Sequence, residues 1–175
     1  FGALRHRARL AVVFGLMQWI FNRGNAAHRL SAAIGVSPSD TKRLGLMGGC
    51  ASVTIRNGVD TDTYQPDSSV MRVPRTCAFW GDLSFEPNID AVRWFVHKVW
   101  KHVSYSRPDA KLTILGRRPV DAVLALADEP CVEVLPDVPD LRPYLRSTAA
   151  AVMPMRCGHG IKNKLLEAAS MQMPI

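Results

Sequence analysis

From residue 76 onward the apolar positions fall into short continuous runs, separated by longer stretches of helical spacing. The runs at 76–81, 111–116, 132–135 and 149–153 have strand length and hold β-branched, aromatic or small residues. The stretches at 88–104, 119–127, 140–146 and 162–172 read as helices. In the first of these, Ile89, Val92, Phe95, Val96 and Val99 recur on one face. Strands alternating with helices predict right-handed βαβ units on a parallel sheet. Ligands of such sheets bind at the carboxyl ends of the strands, which here are Gly81, Gly116, Leu135 and Pro154.

Upstream, residues 3–30 are predicted helical, with a break at Gly24. Residues 32–37 read as a strand handing over to a helix, with Ser37 as N-cap and Pro38 at the first helical position. That helix should end at Gly48-Gly49, and 51–55 reads as a further strand. Asn57-Gly58-Val59-Asp60 predicts a tight turn. The polar segment 61–74, with Pro66 and Pro74, is expected to be an interdomain linker.

The 175 residues, 47% of them apolar, suffice for one domain and part of another, and they argue against wholesale disorder. A chain that opens on Phe1 and stops as a new strand begins reads as a fragment. The net charge of +7 is uneven: residues 1–50 carry seven Arg and Lys against Asp40 alone. Such a basic lobe suits anionic lipid, nucleic acid or phosphorylated substrates, or is a solvated face with no partner. The apolar run at 10–21 is about 12 residues long, short of the roughly 20 that cross a bilayer, and reads as a core or membrane-surface helix. None of Cys50, Cys77, Cys131 and Cys157 forms a CxxC pair, so no zinc or thioredoxin-like site is expected. Cys77 and Cys131 fall in apolar runs and read as buried thiols of a reducing compartment.

Candidate chemistry concentrates in the last quarter. A small-residue strand at 149–153 leads into Gly158-His159-Gly160 and then a helix bearing Lys162, Lys164 and Glu167. A glycine loop before a helix start offers backbone N–H groups and a positive dipole end to an anion. Glu167, about two turns in, can accept hydrogen bonds from sugar or ribose hydroxyls. Taken alone, the two glycines equally form a simple turn, and Glu167 equally belongs to a solvated helix face. His97 and His102 read as solvated helix residues. Trp80, Trp94 and Trp100 read as packing residues, and Trp80, beside a strand end, is also placed to line the cleft. A Rossmann-type oxidoreductase fits poorly: no GxGxxG follows a first strand, and no acidic residue lies about 20 residues beyond one.

Seven segments in order resemble glycosyltransferase family 4, of the two-domain GT-B architecture, over residues 31–175. Residues 55–66, Ile-Arg-Asn-Gly-Val-Asp-Thr-Asp-Thr-Tyr-Gln-Pro, are similar to the PNGVDxxxFxP segment that joins acceptor and donor domains. The others are Phe79-Trp80-Gly81, Pro87-Asn88-Ile89-Asp90-Ala91, Arg107-Pro108-Asp109-Ala110, Leu112-Thr113-Ile114-Leu115-Gly116, residues 138–144 and residues 162–168. The nearest likeness is to sugar transferases of exopolysaccharide gene clusters.

This resemblance implies an α/β fold of GT-B type. Residues 1–60 would end an acceptor domain, 61–74 would link, and 75–175 would form a Rossmann-like donor domain. It implies transfer of a sugar from a nucleotide-sugar donor to a glycan or lipid-linked acceptor, with retention, without metal and with no cofactor beyond the donor. Nucleic acid is not an implied partner. Gly81, Gly158, His159, Gly160 and Ile161 would face phosphate or sugar, and Glu167 the ribose hydroxyls. Lys162 and Lys164 are close enough in sequence to assist with phosphate. The acceptor domain's catalytic contacts would precede Phe1, leaving this chain inactive alone. The protein would be cytoplasmic, held peripherally on an anionic inner membrane face by its basic start. His159 stands where the family often carries a carboxylate, Asp82 where it carries Arg, and Pro87 near its usual Lys. These departures keep a non-catalytic nucleotide- or glycan-binding module open as an alternative.

Overall fold

The computed structural model describes residues 31–48, 50–157 and 161–175. The predicted helix at 3–30 and the Gly158-His159-Gly160 loop lie outside the described residues. The chain divides into two compact units, at Asn57 and Gly58.

In the first unit, β1 (Ala32–Gly35), α1 (Pro38–Gly48) and β2 (Ala51–Thr54) form one βαβ step. The strands pair in parallel, Ala32 against Ala51 through Gly35 against Thr54. Ser37 caps α1 as its sequence predicts: its Oγ accepts the Asp40 amide at 3.2 Å and donates to the Asp40 carboxylate at 2.6 Å.

The second unit begins with a turn placed one step later than expected. Asn57 and Gly58 do not take positive φ. Instead the Asp60 carboxylate accepts the amides of Asp62 and Thr63 and the Thr63 hydroxyl, and Tyr64 N–H closes on Asp60 O at 2.9 Å. Residues 61–74, expected to link domains, lie within this unit, and the Ser170 hydroxyl donates to the Tyr64 carbonyl.

Its sheet holds β3 (Val73–Asp82), β4 (Lys111–Arg117), β5 (Val132–Pro136) and β6 (Thr148–Ala151), in the order β5-β4-β3-β6 and all parallel. β3 outruns its predicted span because Asp82 pairs with Arg117 and Val73 with Thr148. Consecutive burial of Ala78, Phe79 and Trp80 shows that both faces are covered. On one face, Phe79, Leu112 and Ile114 meet Ile89, Val92 and Val96. These come from α2 (Glu86–Phe95) and the π turn Val96–Trp100, which runs on into α3 (Lys101–Ser106). The short α4 (Asp121–Leu124) adds Val123. On the other face, Ala78, Trp80 and Leu115 meet Leu145 of α5 (Arg142–Ser147) and Ala168 of α6 (Asn163–Ser170).

Cys77 is half-buried in β3, and burial pushes its thiol pKa up. Cys131 departs from expectation. It precedes β5 at φ +61 and is only partly buried, its Sγ 3.4 Å from Pro108 O. Among the described residues no helix is long and apolar enough to cross a membrane.

The chain moves outward from β3 to β4 to β5, then returns through α5 to lay β6 on the other side of β3. The crevice beyond the carboxyl ends of β3 and β6 is therefore the topological switch point. Two glycines shape that end. A Cβ on Gly116 would lie 1.8 Å from the Gly81 carbonyl oxygen. Gly81 itself has φ +145, which side-chain-bearing residues rarely adopt.

Gly116→Ala is expected to destabilise the fold by about 1–3 kcal/mol, through forced separation of β3 and β4. Gly58→Ala, where a Cβ meets nothing within 4 Å, should stay within about 0.5 kcal/mol. Urea unfolding of the two variants checks the contrast.

Candidate functional site

A cavity of about 640 Å³ opens at the switch point. Trp80, Gly81 and Asp82 reach it from the end of β3, Asn88 from α2, and Gly116 and Arg117 from β4. The loop into α5 adds Asp140 and Arg142, and Thr63 and Tyr64 close one side. Ile161, Lys162, Asn163, Lys164 and Glu167 bring the start of α6 against it. Residues from six separate segments thus converge because parallel strands all end on the same side.

Glu167 sits in the second turn of α6, half-buried on the cavity wall. The indole N–H of Trp80, a side chain 2% exposed, donates to Glu167 Oε2 at 2.6 Å. A buried ring fixed by the core thus sets the direction of the carboxylate. Glu167 also raises the Tyr64 phenol pKa, although burial is the larger cause there.

Lys164 occupies the cavity floor. Its Nζ donates to Asn88 Oδ1 at 2.9 Å and lies 4.0 Å from the centre of the Phe79 ring. Asn88 Nδ2 in turn donates to the Asp82 carbonyl at 2.8 Å, so α6, α2 and β3 are joined in sequence. Burial lowers the Lys164 pKa to about 8; Glu167 opposes this and Lys162 adds to it.

The remaining charges are largely paired. Arg142 grips Asp140 through two bonds of 2.8 and 2.9 Å, which holds the Asp140 carboxyl below its ordinary range. Asp82 accepts the Ser84 hydroxyl and amide and the Arg118 guanidinium, and its pKa falls to about 2, chiefly through Ser84.

Of the residues expected from sequence, Gly81, Ile161, Lys162, Lys164 and Glu167 line this one cavity. Gly158, His159 and Gly160 lie outside the described residues. Lys162 stands at the α6 N-cap with extended dihedrals. Sequence reasoning gave Asn88 no role; its signal was a polar residue on an otherwise apolar helix face. Trp80, expected to pack or to line the cleft, does both, and it also holds Glu167. Tyr64, Asp140 and Arg142 carried no separate signal, since only the fold brings them to the crevice. Among the described residues no group of three or more His, Cys, Asp or Glu is placed to hold a metal ion.

Residues 74–175, more than half of the chain, match the family described as Glycosyl transferases group 1. No curated protein matches the chain. Among solved structures it is similar to TarM, at 15% identity and a TM-score of 0.68, with 90% of this chain and 31% of TarM covered. It is similar to the pneumococcal O-GlcNAc transferase GtfA in complex with UDP and GlcNAc, at 16% identity and a TM-score of 0.62, covering 89% of this chain and 31% of GtfA. HepE from Anabaena, in complex with UDP and glucose, gives 15% identity and a TM-score of 0.64, over 90% of this chain and 47% of HepE. The chain thus spans less than half the length of each. The fold they share with it is the Rossmann-like α/β fold of GT-B glycosyltransferases.

Trp80→Phe is expected to keep the fold yet lose about 1–3 kcal/mol, as Glu167 loses its buried donor; denaturant unfolding measures this. Asp82 stabilises the fold fully above its unfolded pKa of 3.8 and loses that contribution as pH falls through about 2. The stability gap between the protein and its Asp82→Asn variant should therefore shrink on acidification; a gap that stays constant from about pH 5 to about pH 2 would contradict this.

Proposed function

The chain belongs to the family described as Glycosyl transferases group 1, and on that premise we propose that its cavity binds the nucleotide-sugar donor of a glycosyltransferase. The observation that carries this reading is the Trp80–Glu167 pair at the switch point. An oriented carboxylate beside a helix start suits a nucleotide: Oε1 and Oε2 can accept ribose hydroxyls, and the α6 N-terminus can face phosphate. The solved complexes of GtfA and HepE with UDP and a sugar support the choice of ligand.

The finer reading follows the resemblance to glycosyltransferase family 4. The sugar passes, with retention, to a glycan or lipid-linked acceptor in exopolysaccharide synthesis. The leaving diphosphate is met by basic side chains and backbone N–H groups, which is electrostatic stabilisation of developing charge. The basic residues before Arg43 suit attachment to an anionic membrane surface on the cytoplasmic side.

One observation favours a second reading, a non-catalytic nucleotide- or glycan-binding module. Residues 82–87, from the end of β3 into α2, hold Asp82 and Glu86 and no cation. Donor hydrolysis or transfer by the protein separates the two readings.

Calorimetric titration with UDP-, GDP- and ADP-sugars tests the site itself. One donor is expected to bind in the micromolar to millimolar range. Glu167→Ala should weaken it about tenfold or more, since hydrogen bonds to a charged group are worth about 1.5–3 kcal/mol. No binding by any donor would overturn the reading.

A further inference from the structure

Among the described residues Lys164 is the one buried charged side chain, 9% exposed. No carboxylate described lies within ion-pair distance of it. Burying an ammonium without a counter-ion is costly, and a leucine or methionine would fill the same space without that cost. Burial lowers its pKa to about 8, yet two neutral groups hold the ammonium in place. An ammonium has three donors; Asn88 Oδ1 accepts one at 2.9 Å, and the Phe79 ring face takes another at 4.0 Å. Space above the ammonium is kept clear by Gly81, where a Cβ would lie 3.2 Å from Nζ and 3.1 Å from Asn88 Nδ2. The neighbouring loop cannot supply the charge, because residues 82–87 hold Asp82 and Glu86 and no Lys or Arg.

We propose that Lys164 is the cation that receives the diphosphate of the bound donor, supplied from α6 to the end of β3. Its remaining N–H points the charge at an anion entering over Gly81, while Asn88 and Phe79 hold it in place beforehand. Lys164 thus supplies from beneath what the β3–α2 loop lacks. This inference rests on the reading of the cavity as a nucleotide-sugar site.

The assignment has a consequence in protons. Burial holds the Lys164 pKa down at about 8. The charged groups acting on it are Glu167, which favours the ammonium, and Lys162, which opposes it. From β3 and α2 it meets the neutral Phe79, Gly81 and Asn88, while Asp82 is engaged by Ser84 and Arg118. A bound diphosphate places negative charge beside the ammonium and raises its pKa. Binding above about pH 8 then draws in most of a proton, and binding at about pH 7 draws in little.

The test is calorimetry of the protein with UDP, GDP and ADP, and with their monophosphates, in buffers of different protonation enthalpy. At about pH 9 the diphosphate that binds is expected to draw in nearly one proton, a quantity that falls away toward about pH 7. Lys164→Met should abolish the uptake, weaken the diphosphate about ten- to a hundredfold and shrink its advantage over the monophosphate. Failure of every nucleotide to bind the unchanged protein would overturn the cavity reading and this assignment together. Binding without proton uptake, or uptake that persists in Lys164→Met, would overturn the Lys164 assignment alone. Lys164→Arg serves if the methionine variant fails to fold: its guanidinium stays charged at every pH used, so diphosphate binding should persist without proton uptake, and uptake that persists there would equally overturn the assignment.

Discussion

The carboxyl ends of β3 and β4 lie closer than two side chains would permit, and the cavity depends on that closeness. Gly81 and Gly116 face each other across the ladder, and the Gly81 carbonyl occupies the place where a Gly116 Cβ would stand. The Gly116 carbonyl accepts Asp137 N–H at 2.8 Å, so the next connection is held at the same end. The absence of a side chain on Gly81 also leaves room for Lys164 to cross from α6 to Asn88 on α2. Helices packed on opposite faces of the sheet thus meet over one strand end. A side chain at Gly116 would disturb strand spacing, and one at Gly81 the helix contact and the cavity floor.

Charge in the crevice is arranged by what each group bonds to. Asp140 with Arg142, and Asp82 with Arg118, largely neutralise one another. Lys164 and Glu167 differ: each hydrogen-bonds a neutral group, the amide of Asn88 and the indole of Trp80. Such partners fix direction and leave charge uncancelled, so each group can still act on a ligand. A donor-bearing cation and an acceptor-only carboxylate three residues apart suit a ligand with phosphate at one end and hydroxyls at the other. In the proposed reading that ligand is a nucleotide-sugar.

Much of the fold was legible because parallel strands buried on both faces read as continuous apolar runs. The runs around Phe79, Ile114 and Val134 became β3, β4 and β5 close to where the pattern put them. Ser37 capped its helix because the side-chain oxygen reaches the Asp40 amide whatever the tertiary context. The turn expected at Asn57-Gly58 gives way to one a few residues later, because the Asp60 carboxylate there accepts two backbone amides and the Thr63 hydroxyl. Helix 88–104 was foreseen as one element, and the π turn at Val96–Trp100 was not, since insertion of one residue into a helix leaves no separate mark in apolar spacing. In the site, Glu167 and Gly81 were visible from local motif chemistry. Asn88, Tyr64 and Arg142 were not, because their relevance arises from segments far apart in sequence.

The most direct measurement is the indole N–H resonance of Trp80, followed by heteronuclear NMR while nucleotide-sugars are added. Trp80 donates to Glu167 inside the cavity, whereas Trp100 packs on the opposite face of the sheet and donates to Pro130 O. A donor held at the switch point should shift the Trp80 signal in step with saturation and leave Trp100 in place. Saturable binding that leaves Trp80 unmoved would contradict the account, since the ligand would then lie elsewhere.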